Sequence, residues 1–357
     1  MLTIEEIKVP GFERVLEAKD PTRGLHCFIA IHSSFLGPSL GGARIFPYAS
    51  REDALEDALR LAKGMTYKSA MAETGLGGGK SVIIADPRKD KTPELLHAFA
   101  EVVNMLEGSY IAAEDLGSTI ADMMIIQEKT PYVAALSSDK SSGDPSRFTT
   151  RSVFLGIQAV AKTLWNSTSI KGKTIAIQGL GNVGSKLANI LFWEGAELIV
   201  SDIDEKLVHQ HVHDYGAKKV DPKDFNQVEC DILSPCALGG TINPYSVPLL
   251  RCKAVAGSAN NQLLHDEQGR QMMDRGILYA PDYIINSGGI INAATEFEVK
   301  GYDPKIARDK VNNLYGILLR IFQKSKAENL PTNVVADQIA EHNLKHGIGK
   351  RQSKINF

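Results

Sequence analysis

The run Lys173-Thr-Ile-Ala-Ile-Gln178-Gly179-Leu-Gly181-Asn-Val-Gly184 decides the fold of the C-terminal part of the chain. Its first six residues have the pattern of a buried strand. GxGxxG follows at once, and an amphipathic segment, Leu187 to Trp193, comes next. A second strand pattern, Glu197-Leu-Ile-Val-Ser201, ends at Asp202. That acidic residue falls close to the ~20-residue distance at which a carboxylate meets a ribose in a dinucleotide fold. GxGxxG alone is a weak signal, and a glycine-rich turn serving only helix–strand packing is the plain alternative. Strand, glycine turn, helix, strand and carboxylate in that order point to a Rossmann-type unit. Gly179, Gly181 and Gly184 would admit a pyrophosphate against the N–H groups of a helix N-terminus. Asp202 would accept from ribose hydroxyls and repel a 2′-phosphate, so the expected cofactor is NAD rather than NADP.

Upstream, strand and helix patterns alternate. Leu25 to His32 reads as a strand, Ser50 with Asp53 as a capping-box helix start, and Ala54, Leu55, Ala58, Leu59 and Ala62 as its apolar stripe. Ser81 to Ala85 reads as a short strand, Thr92-Pro93 as a second helix start, and Tyr110 to Ala113 as a strand ending at Glu114-Asp115. A chain of 357 residues exceeds what one core serves, so two domains are expected. The expected class is α/β. Residues 1–135, with the C-terminal helix 331–357 packed back on them, form a substrate-binding and oligomerisation domain; 136–330 form the Rossmann-type NAD domain. The Ser/Asp/Gly/Pro stretch between Ala135 and Arg147 is the expected hinge. Downstream, a helix is expected from Thr149 to Trp165, strands near 231–233, 253–256 and 277–280, one helix over 306–322, and a last over 334–346.

Chemistry-bearing residues concentrate in the first domain. Gly77-Gly78-Gly79-Lys80-Ser81 follows Lys68 by a short interval. Glycines there let backbone approach a ligand or adopt positive φ. A lysine desolvated beside a second cation has a lowered pKa and can act as a general base. The glycine run also resembles a phosphate loop, but a Walker A motif needs glycine where Thr74 stands, and Gly75 is one residue short. Asp115, at a strand's carboxyl end, is a candidate proton carrier, with a plain helix-approach turn as the alternative.

The remainder excludes more than it suggests. A net charge of −2 with no long basic block does not indicate nucleic acid. The N-terminus lacks the charged-then-apolar pattern of a signal peptide, and no apolar run approaches the ~18 residues a membrane span needs. Cys27, Cys230, Cys236 and Cys252 have no CxxC or zinc-site spacing, so reduced thiols in a cytoplasmic protein are expected. His209-Gln-His211-Val-His213 reads as a solvated helix face rather than a metal patch.

Gly41-Gly42-Ala43-Arg44, Lys63-Gly-Met-Thr-Tyr-Lys68, Gly77-Gly78-Gly79-Lys80, Glu114-Asp115-Leu116-Gly117, the GxGxxG run and Asn286-Ser287-Gly288-Gly289 occur in order. Together they resemble the glutamate/leucine/phenylalanine/valine dehydrogenase family over about Gly24 to Lys345. The stretch from Ile29 to Gly42 looks most like the leucine enzymes. The resemblance implies reversible, NAD-dependent oxidative deamination of an L-amino acid in a homo-oligomer. It implies Lys68 as anchor of the substrate carboxylate, Lys80 as general base and Asp115 as proton shuttle. Asn261, Gly41 and Gly42 would lie against the substrate. Thr149, Asn182, Val183, Ala237 and Asn260 would join the glycines and Asp202 at the cofactor.

Position 40 argues the substrate. In glutamate-specific members a lysine precedes the Gly-Gly, and here it is Leu40. An unpaired carboxylate buried beside leucine is costly, so glutamate should be rejected. Leu40, Ala113, Ile290 and Ala293 would form an aliphatic pocket suiting leucine, valine and isoleucine. Ala293 is smaller than the valine usual in leucine enzymes and leaves an aromatic substrate as the alternative. Arg151-Ser152 depart from the family pattern beside Thr149. They raise a second alternative, a catalytically altered NAD-binding homologue.

Overall fold

Small residues set the architecture of the first sheet. In chain order its elements are β1 (Thr3–Glu6), β2 (Arg14–Asp20), β3 (Leu25–Ser33), β4 (Ser39–Phe46), α1 (Arg51–Met71), β5 (Gly77–Ile84), α2 (Pro93–Asn104), β6 (Tyr110–Glu114) and α3 (Ile120–Gln127). The strand order is β1-β2-β3-β5-β4-β6. β4 lies parallel between β5 and β6, while β1, β2 and β3 run antiparallel to their neighbours. Helix α1 starts at Ser50, whose side chain accepts from the Asp53 amide. It buries Ala54, Ala58 and Ala62 against Phe28, Ala30 and Val82. Methyl-sized side chains at four-residue spacing let the helix come close to the sheet. The approach is tightest at Gly78, where an added Cβ would stand 2.0 Å from the Thr66 amide nitrogen. The other face packs α2 and α3 through Leu95, Phe99, Val103, Met123 and Ile126 onto Cys27, Ile29, Ile31 and Ile83.

The glycine run is therefore a strand and not a loop. Gly77, Gly78 and Gly79 open β5, which begins four residues earlier than the apolar pattern from Ser81 suggests. None of the three has positive φ. Gly78 admits the helix backbone, and a Cβ at Gly79 would stand 2.9 Å from the Tyr110 ring. The run serves packing under Lys80, and a strand here rules out a phosphate loop.

The second sheet is all parallel, with order β12-β11-β10-β7-β8-β9. Its elements are α4 (Ser146–Trp165), β7 (Thr174–Gln178), α5 (Asn182–Trp193), β8 (Glu197–Ser201), α6 (Glu205–Tyr215), β9 (Lys218–Lys219), β10 (Ile232–Pro235), β11 (Ala254–Val255), α7 (Glu267–Asp274) and β12 (Leu278–Tyr279). Helices α8 (Asp282–Ile285), α9 (Gly288–Ala294), α10 (Pro304–Asn312), α11 (Leu314–Glu328) and α12 (Thr332–His346) complete the chain. Strand β7 lies between β8 and β10, so the order reverses at its carboxyl end, where such sheets bind ligands. The single helix expected over 306–322 is two helices, interrupted at Asn313.

The computed structural model describes residues 1–134, 136, 142–355 and 357. Positions 135 and 137–141 of the expected hinge lie outside them. Contacts divide the chain into Met1–Asp144 with Asn292–Pro304 and Ala340–Phe357, and Pro145–Ile291 with Lys305–Ile339. The first boundary thus follows Asp144 rather than Ala135. The C-terminal return to the first unit begins at Ala340, inside α12, rather than at 331. Asn343 donates to the Ala70 carbonyl at 3.1 Å and Tyr67 to Glu341 at 2.8 Å, which ties this return to the end of α1.

Two glycines of the α1–β5 layer make opposite predictions. Gly78→Ala drives a methyl into helix backbone and should cost about 3 kcal/mol or more. Gly64→Ala, in open space on the same helix, should stabilise by about 0.5–1 kcal/mol. Urea midpoints of the two variants check this, and equal midpoints would refute close helix–sheet approach as the limiting constraint.

Candidate functional site

Strand register brings the first group of residues together. Leu40 pairs with Gly78 and Ile111, and Gly42 with Ala113. Paired and alternate residues share a sheet face, so Leu40, Gly42, Arg44, Lys80, Ala113 and Asp115 lie on one side. A Cβ at Gly42 would stand 2.6 Å from the Asp115 Cβ and 3.0 Å from Lys80 Nζ, so glycine there leaves room for both side chains. Gly41 faces the other way, its carbonyl accepting from the Tyr110 hydroxyl at 2.8 Å. Asp115 stands just past β6, its amide donating to Ser118 Oγ at 2.9 Å in the turn closed by Gly117. Gly117 has φ +82° and lies against the Ile45 carbonyl, which only glycine allows.

Lys80 is 4% exposed, and its Nζ donates to Asp115 Oδ2 at 2.7 Å. Arg44 Nε donates to the same oxygen at 2.9 Å, and Arg44 Nη1 to Asp57 Oδ2 at 2.8 Å. The Tyr48 hydroxyl donates to that Asp57 oxygen at 2.5 Å. Burial lowers the Lys80 pKa; Asp115 opposes this and the Arg44 charge adds to it. For Asp115, burial acts upward, yet Lys80 and Arg44 outweigh it and hold the carboxyl at about 2. The second cation beside Lys80 is thus Arg44. In the sequence Arg44 stands out only as part of the motif Gly41-Gly42-Ala43-Arg44. Lys68 lies in the last turn of α1, half-buried, two residues past the Thr66 that touches Gly78. Asp57 and Tyr48 carried no sequence signal at all.

The second unit forms its own site at the carboxyl ends of β7 and β8. Gly179 has φ +94°, and a Cβ there would stand 2.8 Å from the Ala237 Cβ. A Cβ at Gly184 would strike the Gly179 carbonyl at 1.9 Å, whereas Gly181 faces open space. Two glycines thus close the turn and the middle one leaves access. Helix α5 has Gly181 as N-cap, no side-chain cap and no acidic residue in its first turn, so the N–H groups beside Asn182 and Val183 suit an anion. Asp202 accepts from the Leu180 amide at 2.6 Å and the Asp204 amide at 2.8 Å, which holds its carboxylate beside the glycine turn. Gln178 Oε1 and Ser201 Oγ are buried there without a hydrogen-bond partner among the described residues. The residues fit a bound dinucleotide.

The remaining predicted residues also find places. Asn260 Oδ1 accepts from Asn286 at 2.7 Å, and Asn261 follows with φ +51°. The turn is held by Gln262, which donates to the Gly257 and Ala259 carbonyls. Thr149 is in the first turn of α4, its Oγ1 2.9 Å from where a Gly289 Cβ would be. Arg151 is exposed, reaching Asn312, and Ser152 Oγ accepts from the Gly288 amide at 3.2 Å. That departure from the family pattern is absorbed by solvent and by packing of α4 on α9. Ile290 and Ala293 are buried on α9, Ile290 in the second unit and Ala293 in a segment of the first.

Two readings shift. His209 and His213 are exposed on α6, but His211 is buried with Nδ1 2.7 Å from the Leu207 carbonyl, so only part of that face is solvated. Among the described residues no group of side chains could hold a metal ion, and no helix is long and apolar enough to cross a membrane. All four cysteines are free, and burial pushes Cys27 up to about 12.

A dinucleotide unit joined in one chain to a buried lysine–aspartate pair defines an α/β dehydrogenase. The family of the Glu/Leu/Phe/Val dehydrogenase dimerisation domain matches residues 12–132, and that of glutamate/leucine/phenylalanine/valine dehydrogenase matches 142–210 and 200–338. The chain belongs to this family. It is 49% identical over 335 residues to leucine dehydrogenase of Geobacillus stearothermophilus, covering 94% of this chain and 91% of that one. It is 42% identical over 356 residues to L-tryptophan dehydrogenase of Nostoc punctiforme, covering 99% of each. The crystal structure of L-tryptophan dehydrogenase from Nostoc punctiforme superposes with TM-score 0.82 at 40% identity, covering 94% of this chain and 96% of that one.

The Asp115 charge predicts an acid limb of stability. Its pKa is lowered from 3.8 to about 2 on folding. The stabilisation is complete above the unfolded value and disappears as pH falls through the folded one. Asp115→Asn, which leaves the buried Lys80 without its carboxylate and Arg44 with Asp57 alone, should be less stable than the natural protein at pH 6 by about 3–5 kcal/mol. The gap should narrow between about pH 4 and pH 2 in urea titrations. A gap independent of pH would overturn the assignment.

Proposed function

We propose that the protein catalyses the reversible, NAD-dependent oxidative deamination of branched-chain L-amino acids. Amino acid, NAD⁺ and water give 2-oxo acid, ammonium, NADH and a proton. The observation that supports this most is the buried Lys80 ammonium on Asp115, 2.7 Å away. Such a lysine sheds its proton more readily than an exposed one, which a base needs. The glycine turn and Asp202 would hold NAD, which would supply the acceptor for the hydride from Cα. Lys80 then takes a proton from the water that attacks the imino carbon, and Asp115 moves a proton to and from the departing nitrogen. Lys68 pairs with the α-carboxylate, Gly42 leaves room beside Lys80 for the substrate while Gly41, facing the other side of the sheet, offers it only backbone, and Asn261 hydrogen-bonds to it.

Leu40, Ala113, Ile290 and Ala293 form the side-chain pocket in this reading, and the buried, uncharged Leu40 disfavours glutamate. Thr149, Asn182, Val183, Ala237 and Asn260 act with the three glycines at the cofactor, and the Asp202 carboxylate favours NAD over NADP. By analogy with the family the active form is a homo-oligomer, a second partner role for the unit that carries Lys80. The small Ala293, with tryptophan and phenylalanine dehydrogenases at 42% identity, supports an aromatic substrate as a second reading.

Formation of reduced nicotinamide across L-leucine, L-valine, L-isoleucine, L-phenylalanine, L-tryptophan and L-glutamate tests the reading. Branched-chain kcat/KM should exceed that for glutamate by more than about 100-fold, and differ among the aliphatic substrates by about 10–200-fold at most. Phenylalanine or tryptophan leading would favour the second reading. Lys80→Ala should lower kcat by about 10²–10⁴-fold, while Lys68→Ala should chiefly raise KM. Near-normal turnover of Lys80→Ala would remove the base assignment. Comparable kcat/KM with NADP⁺ and NAD⁺ would remove the cofactor preference.

A further inference from the structure

Arg44 is a guanidinium locked between two carboxylates. Its Nε reaches Asp115 Oδ2 at 2.9 Å and its Nη1 reaches Asp57 Oδ2 at 2.8 Å. Asp57 is itself fixed, by the Tyr48 hydroxyl on Oδ2 at 2.5 Å and by Arg60 on Oδ1 at 3.3 Å. The side chain of Arg44 is only 18% exposed. A planar guanidinium held at both ends sets the plane of the carboxylate it grips, whereas a lysine ammonium acts as a rotatable point charge. Lys80 and Arg44 donate to the same oxygen of Asp115, and among the described residues no hydrogen bond reaches Oδ1.

We propose that Arg44 is a positioning residue that divides the two oxygens of Asp115, fixing Oδ2 so that Oδ1 alone faces the substrate nitrogen. The proposal rests on the amino acid dehydrogenase reading and deepens it. A base must spend part of each turnover neutral. While Lys80 is neutral, Asp115 loses one of its two cationic partners. Arg44 does not titrate in the working range, so it alone keeps Asp115 oriented and ionised through that interval. Its charge also stands beside Lys80 on the same sheet face and disfavours reprotonation. The glycine at position 42 completes the device, since any side chain there would displace both partners.

The groups around Lys80 fix the sign of the expected pH effect. Strand β4 presents Arg44, the end of β6 presents Asp115 with Glu114 before it, and α1 presents Asp57 and, further along, Lys68. Strand β3 presents Ala30 opposite Lys80 and adds no charge. The Arg44 charge beside Lys80 disfavours its ammonium, so removing Arg44 should move the Lys80 titration to higher pH.

The test compares Arg44→Gln and Arg44→Lys with the natural protein in amino acid oxidation across pH. Active fraction is normalised by titration with NADH. Arg44→Gln should lower kcat by about 10–100-fold with KM for the amino acid within about twofold, and its acidic limb should move to higher pH by about one unit. Arg44→Lys should return the limb toward its natural position, because the charge is back. It should recover kcat only in part, because a lysine cannot grip both carboxylates. A merely structural role predicts a lower active fraction with an unmoved limb, and that result overturns the proposal. If Arg44→Gln does not fold, Arg44→Gln with Asp57→Asn removes the stranded carboxylate, and its limb should move in the same direction. If the natural protein oxidises no amino acid, the dehydrogenase reading fails by itself. The pH midpoint of Lys80 labelling by acetic anhydride in Arg44→Gln then decides the electrostatic claim, an unchanged midpoint overturning it.

Discussion

A lysine ammonium with almost no contact with water, resting on one aspartate, is the constraint around which the first unit is organised. Desolvating that cation is expensive, and a buried pair rarely repays the cost in stability. The surroundings are instead arranged so that the pair can exist at all. Position 42 must be glycine to leave room for both head groups, and position 78 must be glycine so that α1 can close over the strand carrying Lys80. Three alanines spaced along α1 bring the helix near enough to exclude water. Arg44 and Asp57 then balance the charges, with two cations and two carboxylates alternating across β4, β5, the end of β6 and α1.

The second unit uses glycine for a different purpose. There the backbone itself is the binding group, and the three glycines of the turn divide into a bent one, an open one and a packed one. The open one sits at the uncapped start of α5, where first-turn N–H groups have no intrahelical partner. Asp202 is held at this turn by backbone amides from both sides. The same residue type thus makes a dry pocket for a charged pair in one unit and an exposed cradle for an anion in the other.

The sequence was most legible where function depends on local spacing. The run from Lys173 to Asp202 reads as it folds, because strand, turn, helix and strand are adjacent in the chain and each has its own periodicity. Lys80 and Asp115 could be singled out from their settings, a glycine run and a strand end. What stayed hidden was non-local. The glycines of β5 look like a loop because strand propensity is low for glycine, and only contact with α1 and Tyr110 explains them. Asp57 reads as one of several acids on an exposed helix, since nothing in its neighbourhood announces an arginine from β4. Arg151 looked disruptive beside Thr149, yet helical geometry turns it outward to Asn312. The break at Asn313 is not legible in the sequence because both flanking helices share apolar spacing.

The central claim is that Lys80 is easier to deprotonate than an ordinary lysine because burial and Arg44 act on it together. Competitive acetylation of the intact protein at a series of pH values, read by peptide mass spectrometry, measures this directly. Restricted access slows labelling of Lys80 at every pH alike, so the pH at which its reactivity is half-maximal reports its protonation and not its accessibility. A midpoint clearly below the ordinary lysine value of about 10.4 is the predicted result. A midpoint at or above that value would contradict the account.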